Sequence, residues 1–177
     1  MHVDMPDPTL ANRLAALATA LDDAIRADAE DLSPSAVAAL QTIRQDGPLA
    51  IQDVARTIGL THSATVRLID RLEKDWLVRR LSRKGREVRV EVTARGRRRA
   101  GQFQERRLAV TNDLIAALDD GERVALAPIL DKLLAAGVTD PETATRTCRS
   151  CEREGCRKAG CPVEQAAREL PPAPATR

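Results

Sequence analysis

Apolar residues recur at three- and four-residue intervals along most of this chain, and at two-residue intervals in one short stretch. Leu10, Leu14, Leu17, Leu21 and Ile25 form a helical stripe. It predicts a first helix, capped by Thr9 or Asn12 and running to about residue 29, after a disordered start over residues 1–8. Ser33-Pro34 is a helix start: the serine caps and the proline takes the first helical position. That helix should reach about Gln45 and end at Gly47-Pro48. Ile51 to Ile58 reads as a short helix with Val54, Ala55 and Ile58 inward, closed by Gly59 in a left-handed conformation. Leu60 anchors a turn, Thr61 or Ser63 caps the next helix, and Val66, Ile69 and Leu72 give that helix its apolar face to about Lys74.

At Leu77 the period changes. Leu77 to Leu81 reads as a strand, Ser82-Arg83-Lys84-Gly85-Arg86 as a turn, and Val88, Val90 and Val92, alternating with Arg89 and Glu91, as a half-buried strand. Thr93 then caps a long helix to about Leu118. Asp119 or Asp120 opens another to about Ala136, with Pro128 expected to kink it and Gly137 to stop it. The expected fold class is mostly α with a small β-wing. A winged helix-turn-helix over residues 33–93 is flanked by dimerisation helices at 9–32 and 94–137. A linker at 138–147, a four-cysteine module at 148–165 and a disordered tail at 166–177 complete the expected organisation.

Charge sharpens this picture. The net charge is only +2, but residues 79–99 hold ten arginines and lysines against Glu87 and Glu91. A basic block on an otherwise acidic chain points to a polyanion-binding face. A major groove accepts one helix and is read from that helix's N-terminal part. The candidates for this role are Thr61, His62, Ser63, Thr65, Arg67 and Arg71. The basic turn adds Arg83, Lys84 and Arg86, suited to a narrow minor groove.

ATVRLIDRLEKDWLVRR and SRKGREVRVEVTARGRR, within residues 10–137, resemble the recognition helix, wing and following helix of the MarR family of winged-helix regulators. Arg86 takes the arginine position of that family's Asp-x-Arg wing motif, whereas Lys84 stands where the family has aspartate. The resemblance implies an obligate homodimer with intertwined first and last helices and two wings over a pseudo-palindromic double-stranded DNA operator. It also implies a small-molecule effector bound between the dimer helices and the reading head. Dimerisation agrees with the chain's own pattern, because an apolar N-terminal helix and a long helix after the wing need more burial than one small domain supplies.

Cys148, Cys151, Cys156 and Cys161 are spaced C-x2-C-x4-C-x4-C. Four soft ligands this close can wrap a zinc ion. The spacing is that of a zinc knuckle, with Cys156 where the knuckle has histidine. Four thiolates can equally hold a [4Fe–4S] cluster, and Cys161-Pro162 matches the end of ferredoxin-like runs. Arginines beside the cysteines also admit a thiol redox switch. Zinc is the first expectation and the cluster the second.

No apolar run approaches the roughly 20 residues of a membrane span, and the acidic N-terminus lacks a signal pattern. A cytoplasmic protein is therefore expected, where clustered cysteines favour metal over disulfides. His2 and His62 are the only histidines and neither sits in a catalytic motif, so an enzyme is not expected. The leading function is a DNA-binding transcriptional regulator, a repressor, controlled by a small molecule or by metal or redox state at the cysteines. The alternative is a zinc-knuckle RNA-binding or protein-interaction protein.

Overall fold

The computed structural model describes residues 7–27, 32–82 and 87–171. Its first helix, α1 (Pro8–Arg26), starts at a proline and is capped by the Asp7 carboxylate, which accepts from Thr9 N at 2.8 Å. Neither Thr9 nor Asn12 is the cap, and Pro8 is already helical. Helix α2 (Pro34–Asp46) begins as its Ser-Pro signal dictates, with Ser33 Oγ accepting from Ala36 N. A two-residue strand, β1 (Leu49–Ala50), then leads into α3 (Ile51–Ile58) and α4 (His62–Lys74). The wing strands are β2 (Val78–Arg80) and β3 (Arg89–Val92). Two long helices follow, α5 (Ala94–Ile115) and α6 (Asp120–Ala136). A capping box between Asp119 and Glu122 opens α6, which runs through Pro128 without interruption.

The sheet is antiparallel in the order β1-β3-β2, with Leu49 opposite Val90 and Val78 opposite Val92. Its valines face a core made with Leu40 and Ile43 of α2, Val54 of α3, and Leu68, Ile69 and Leu72 of α4. Several of these side chains are fully buried, each contributing about 1.5–3 kcal/mol of transfer free energy. The return from the wing into α5 is fixed by close backbone contact. Thr93 N donates to Leu77 O at 3.0 Å, and a Cβ at Gly96 would lie 1.8 Å from that same oxygen. Only glycine permits this approach.

The C-terminal part departs from the expected linker and tail. Residues 138–147 contain α7 (Pro141–Thr147), capped by Asp140. A 3-10 turn (Cys148–Ser150), α8 (Arg153–Lys158) and α9 (Pro162–Glu169) follow, so the tail expected from residue 166 is helical to Glu169. The reason is a second small core of Val138, Ala144, Cys161 and Val163, with Cys148, Cys156, Ala166, Ala167 and Leu170 packed against it. It sits on α6 through α9, on α3 through α7 and on α2 through the 3-10 turn.

Candidate DNA-reading face and cysteine module

Helix α4 is presented by its two ends. Gly59, at φ 72°, closes α3 in the left-handed region and turns the chain. Thr61 then caps α4, its hydroxyl accepting from Ala64 N at 3.2 Å and lying 3.3 Å from Ser63 Oγ. At the far end Leu77 N donates to Leu72 O and Trp76 N to Glu73 O, a Schellman closure with Trp76 in the left-handed position at φ 60°.

Between these ends α4 has two faces. Thr65, Leu68, Ile69 and Leu72 are buried, while His62, Ser63, Arg67 and Arg71 are exposed. Arg67 and Arg71 are four residues apart and share one side. Thr65 corrects the expected reading set. It is 0% exposed, and its hydroxyl donates to Thr61 O at 2.9 Å, so it holds the helix start and faces away from any groove. Val66, expected on the apolar face, is only half-buried, and Leu68 takes the core position.

The recognition helix is braced against the wing by charge. Arg80 of β2 bonds Asp70 at 2.7 Å and also pairs with Glu73, while its backbone N donates to Glu73 Oε1 at 2.9 Å. Burial alone would lower the Arg80 pKa, but the two carboxylates outweigh it and raise it. Arg79 and Glu91 pair across the strands at 2.6 Å. Arg83, Lys84 and Arg86 lie outside the described residues.

Behind the reading head a cleft of about 350 Å³ opens between α1, α2, α5 and the 3-10 turn. Ile25, Val37 and Phe103 give it apolar walls, and Arg107, Arg149 and the Arg26–Asp22 pair line its polar side with a net positive charge. Gln41 and Gln104 also line it, 2% and 6% exposed. Gln41 Nε2 donates to Ala100 O at 2.7 Å, but Gln41 Oε1 and Gln104 Nε2 find no partner among the described residues. Sequence reading missed both; two glutamines in polar-rich helices carry no signal until packing buries them.

Residues 32–85 match the MarR family. The reading head is similar to the MarR family over these residues, which are under a third of the chain. A MarR family protein from Bacillus stearothermophilus is 27% identical, with a TM-score of 0.64 over 71% of this chain and 90% of that one. Streptococcus pneumoniae FabT, solved in complex with DNA, is 16% identical, with a TM-score of 0.57 over 71% of this chain and 90% of FabT. Mycobacterium tuberculosis RV2887, solved in complex with p-aminosalicylic acid, is 23% identical, with a TM-score of 0.53 over 73% of this chain and 98% of RV2887. No curated protein sequence matches the chain. None of its described helices is long and apolar enough to cross a membrane.

The winged helix-turn-helix head carries the cysteine module on its side. All four cysteines are free thiols and line one open cavity of about 310 Å³ with Arg153 and Arg157. Cys148 interacts with the thiols of Cys151 and Cys161, and Cys156 with that of Cys161. The contact with Cys148, opposed by burial and reinforced by Arg107 and Arg153, draws the Cys151 thiol down to about 6. The same contact, with burial, pushes Cys148 up, and burial foremost lifts Cys156 to about 11. Among the described residues no group of three or more His, Cys, Asp or Glu side chains is arranged to hold a metal ion. The thiols share one cavity and interact pairwise.

Proposed function

We propose that this protein is a DNA-binding transcriptional regulator, a homodimeric repressor that reads a pseudo-palindromic operator with α4 and releases it in response to an effector. The observation that carries the reading is the two-sided character of α4. His62, Ser63, Arg67 and Arg71 are exposed, while the opposite face is locked into the core and the helix is braced to the wing. Such a helix enters a major groove as a rigid unit, with arginine suited to guanine and the hydroxyls to phosphates or bases. The likeness in fold to FabT, solved on DNA, supports the same use here.

Dimerisation is supported by apolar faces left exposed among the described residues. Leu10, Leu14 and Leu17 of α1 and Val124, Ile129 and Leu133 of α6 are all 47% exposed or more. The effector acts by changing the separation of the two reading heads, so that both helices no longer fit successive grooves. A small molecule in the cleft behind the head is one effector: the Gln41 and Gln104 ends without a partner among the described residues, with Arg107 and Arg149, suit an acidic group on an apolar body.

The other effector is the state of the cysteine module. Cys148, Cys151, Cys156 and Cys161 are the ligands of a soft metal centre, a zinc ion in the first place and a [4Fe–4S] cluster in the second. The shared cavity and the pairwise thiol contacts support this assignment. Metal analysis of protein purified without oxygen separates the two: about one zinc per chain in a colourless protein, or iron and sulfide in a brown one. Absence of both overturns the metal assignment.

The function itself is tested by titrating the protein with duplex DNA and with RNA of the same sequence at several salt concentrations. Duplex affinity that exceeds RNA affinity, falls steeply with salt, and loses about 1–3 kcal/mol in Arg67→Ala supports the reading. Preference for RNA would replace it with the interaction-module alternative.

A further inference from the structure

The cysteine module is not an appendage on a tether. Its loop is tied to the reading head and to the dimer helix at named points. Arg153, 18% exposed, donates to Cys148 O at 3.4 Å and pairs with Asp46, the last residue of α2. Glu152 pairs with Arg44 of the same helix at 3.5 Å. Arg107 of α5 donates to Ser150 O at 3.0 Å and also neighbours Cys151. On the other side α7 packs against α3, and Arg146 lies over Gly59 with Nε 3.4 Å from where a Cβ would stand. Gly59 is the left-handed residue between α3 and α4, so this arginine covers the turn that aims the recognition helix.

These contacts make the loop 148–153 a shared part. Cys148 and Cys151 bracket this loop, in which the Cys148 carbonyl accepts from Arg153, Arg153 holds Asp46, and Ser150 O accepts from Arg107. Packed elements held by discrete charge pairs shift between arrangements rather than stretching. We infer that the state of the four-thiol site sets the DNA affinity of the reading head, transmitted by the Arg153–Asp46 pair to α2 and by Arg146 at Gly59 to the α3–α4 turn. The inference rests on the DNA-reading function proposed above and holds whether the thiols are filled by metal or modified.

The test compares the full-length protein with an Asp46→Asn, Arg146→Gln double variant, which leaves every cysteine and every exposed residue of α4 in place. The probe is a duplex selected from a random-sequence pool by the wild-type protein. Affinity is measured on protein as purified and after chelator treatment followed by alkylation of the thiols with iodoacetamide. In the wild type, alkylation should change affinity at least about fivefold. The double variant should start shifted in the same direction, and alkylation should change it less than about twofold, the non-additivity expected of one shared path. Hydrogen exchange should quicken at the amides of residues 51–58 in the alkylated wild type, while helical circular dichroism shows both proteins folded. Unchanged affinity on alkylation, or the full effect persisting in the double variant, overturns the coupling. A wild type that selects no duplex overturns the DNA-reading function, and the coupling with it. An alkylation effect in protein that contains no zinc or iron removes the metal assignment and leaves the coupling standing.

Discussion

Thr65 and Arg67 stand two positions apart on α4 and meet opposite fates. At 100° per residue Thr65 falls in line with Leu68, Ile69 and Leu72, the i, i+3, i+4, i+7 stripe, and is carried into the core. The hydroxyl tolerates this because the helix carbonyl of Thr61 accepts its proton. That spacing is visible in the sequence; reading threonine as polar, rather than as a stripe member, is what misplaced it. Trp76 is the opposite case, since nothing in its identity announces a left-handed conformation. It occupies the position where a Schellman closure favours glycine, and it is 73% exposed, so little burial offsets the strain. Trp76→Gly should therefore stabilise the fold by about 1 kcal/mol, read as a higher urea midpoint by circular dichroism. A lower midpoint would show that the indole packs more than its exposure indicates.

Among the elements, the helices with strong apolar periods and capped ends were legible: α2, α3, α4 and α5 begin at or beside Ser33, Ile51, Thr61 and Thr93. Strand β1 was not, because two residues carry no period; it exists because Leu49 and Ala50 find β3. Helix α7 was missed for a related reason. Its only buried side chain is Ala144, so no stripe shows, although Asp140-Pro141 is a sound start signal. Asp140 is held by Thr143 side chain and backbone and by Thr139, which bring its pKa from 3.8 to about 2. A depressed carboxylate contributes stability that is complete above the unfolded value and is lost as pH falls through the folded one. The α7 contribution should thus be whole above about pH 4 and fade towards pH 2. Asp140→Asn should remove that part of the acid dependence, as followed by hydrogen exchange of α7 amides. An unchanged acid profile in the variant would show that the cap does not stabilise α7.

For the whole molecule, the sequence made the order of elements and the DNA-reading class plain, because the period change at Leu77 and the basic block coincide. It did not show the packing of the C-terminal module. The pairs that bind it, such as Arg153 with Asp46, join residues more than a hundred positions apart and are chemically ordinary on their own. The uncovered apolar faces of α1 and α6 belong to this scale as well. Leu14→Glu with Leu17→Glu should convert a species of twice the chain mass into monomer in sedimentation and abolish tight operator binding, since each half-site alone is weak. A wild type that sediments as a monomer would contradict this use of the faces.

The most direct test of the account is selection of bound duplexes from a random-sequence pool, with wild type and Arg67→Ala in parallel. Wild type should enrich an inverted repeat with half-sites about one helical turn apart, and Arg67→Ala should relax the preference at one base pair in each half. A pool without an inverted repeat, or one unchanged by the substitution, would contradict a dimer reading DNA through α4.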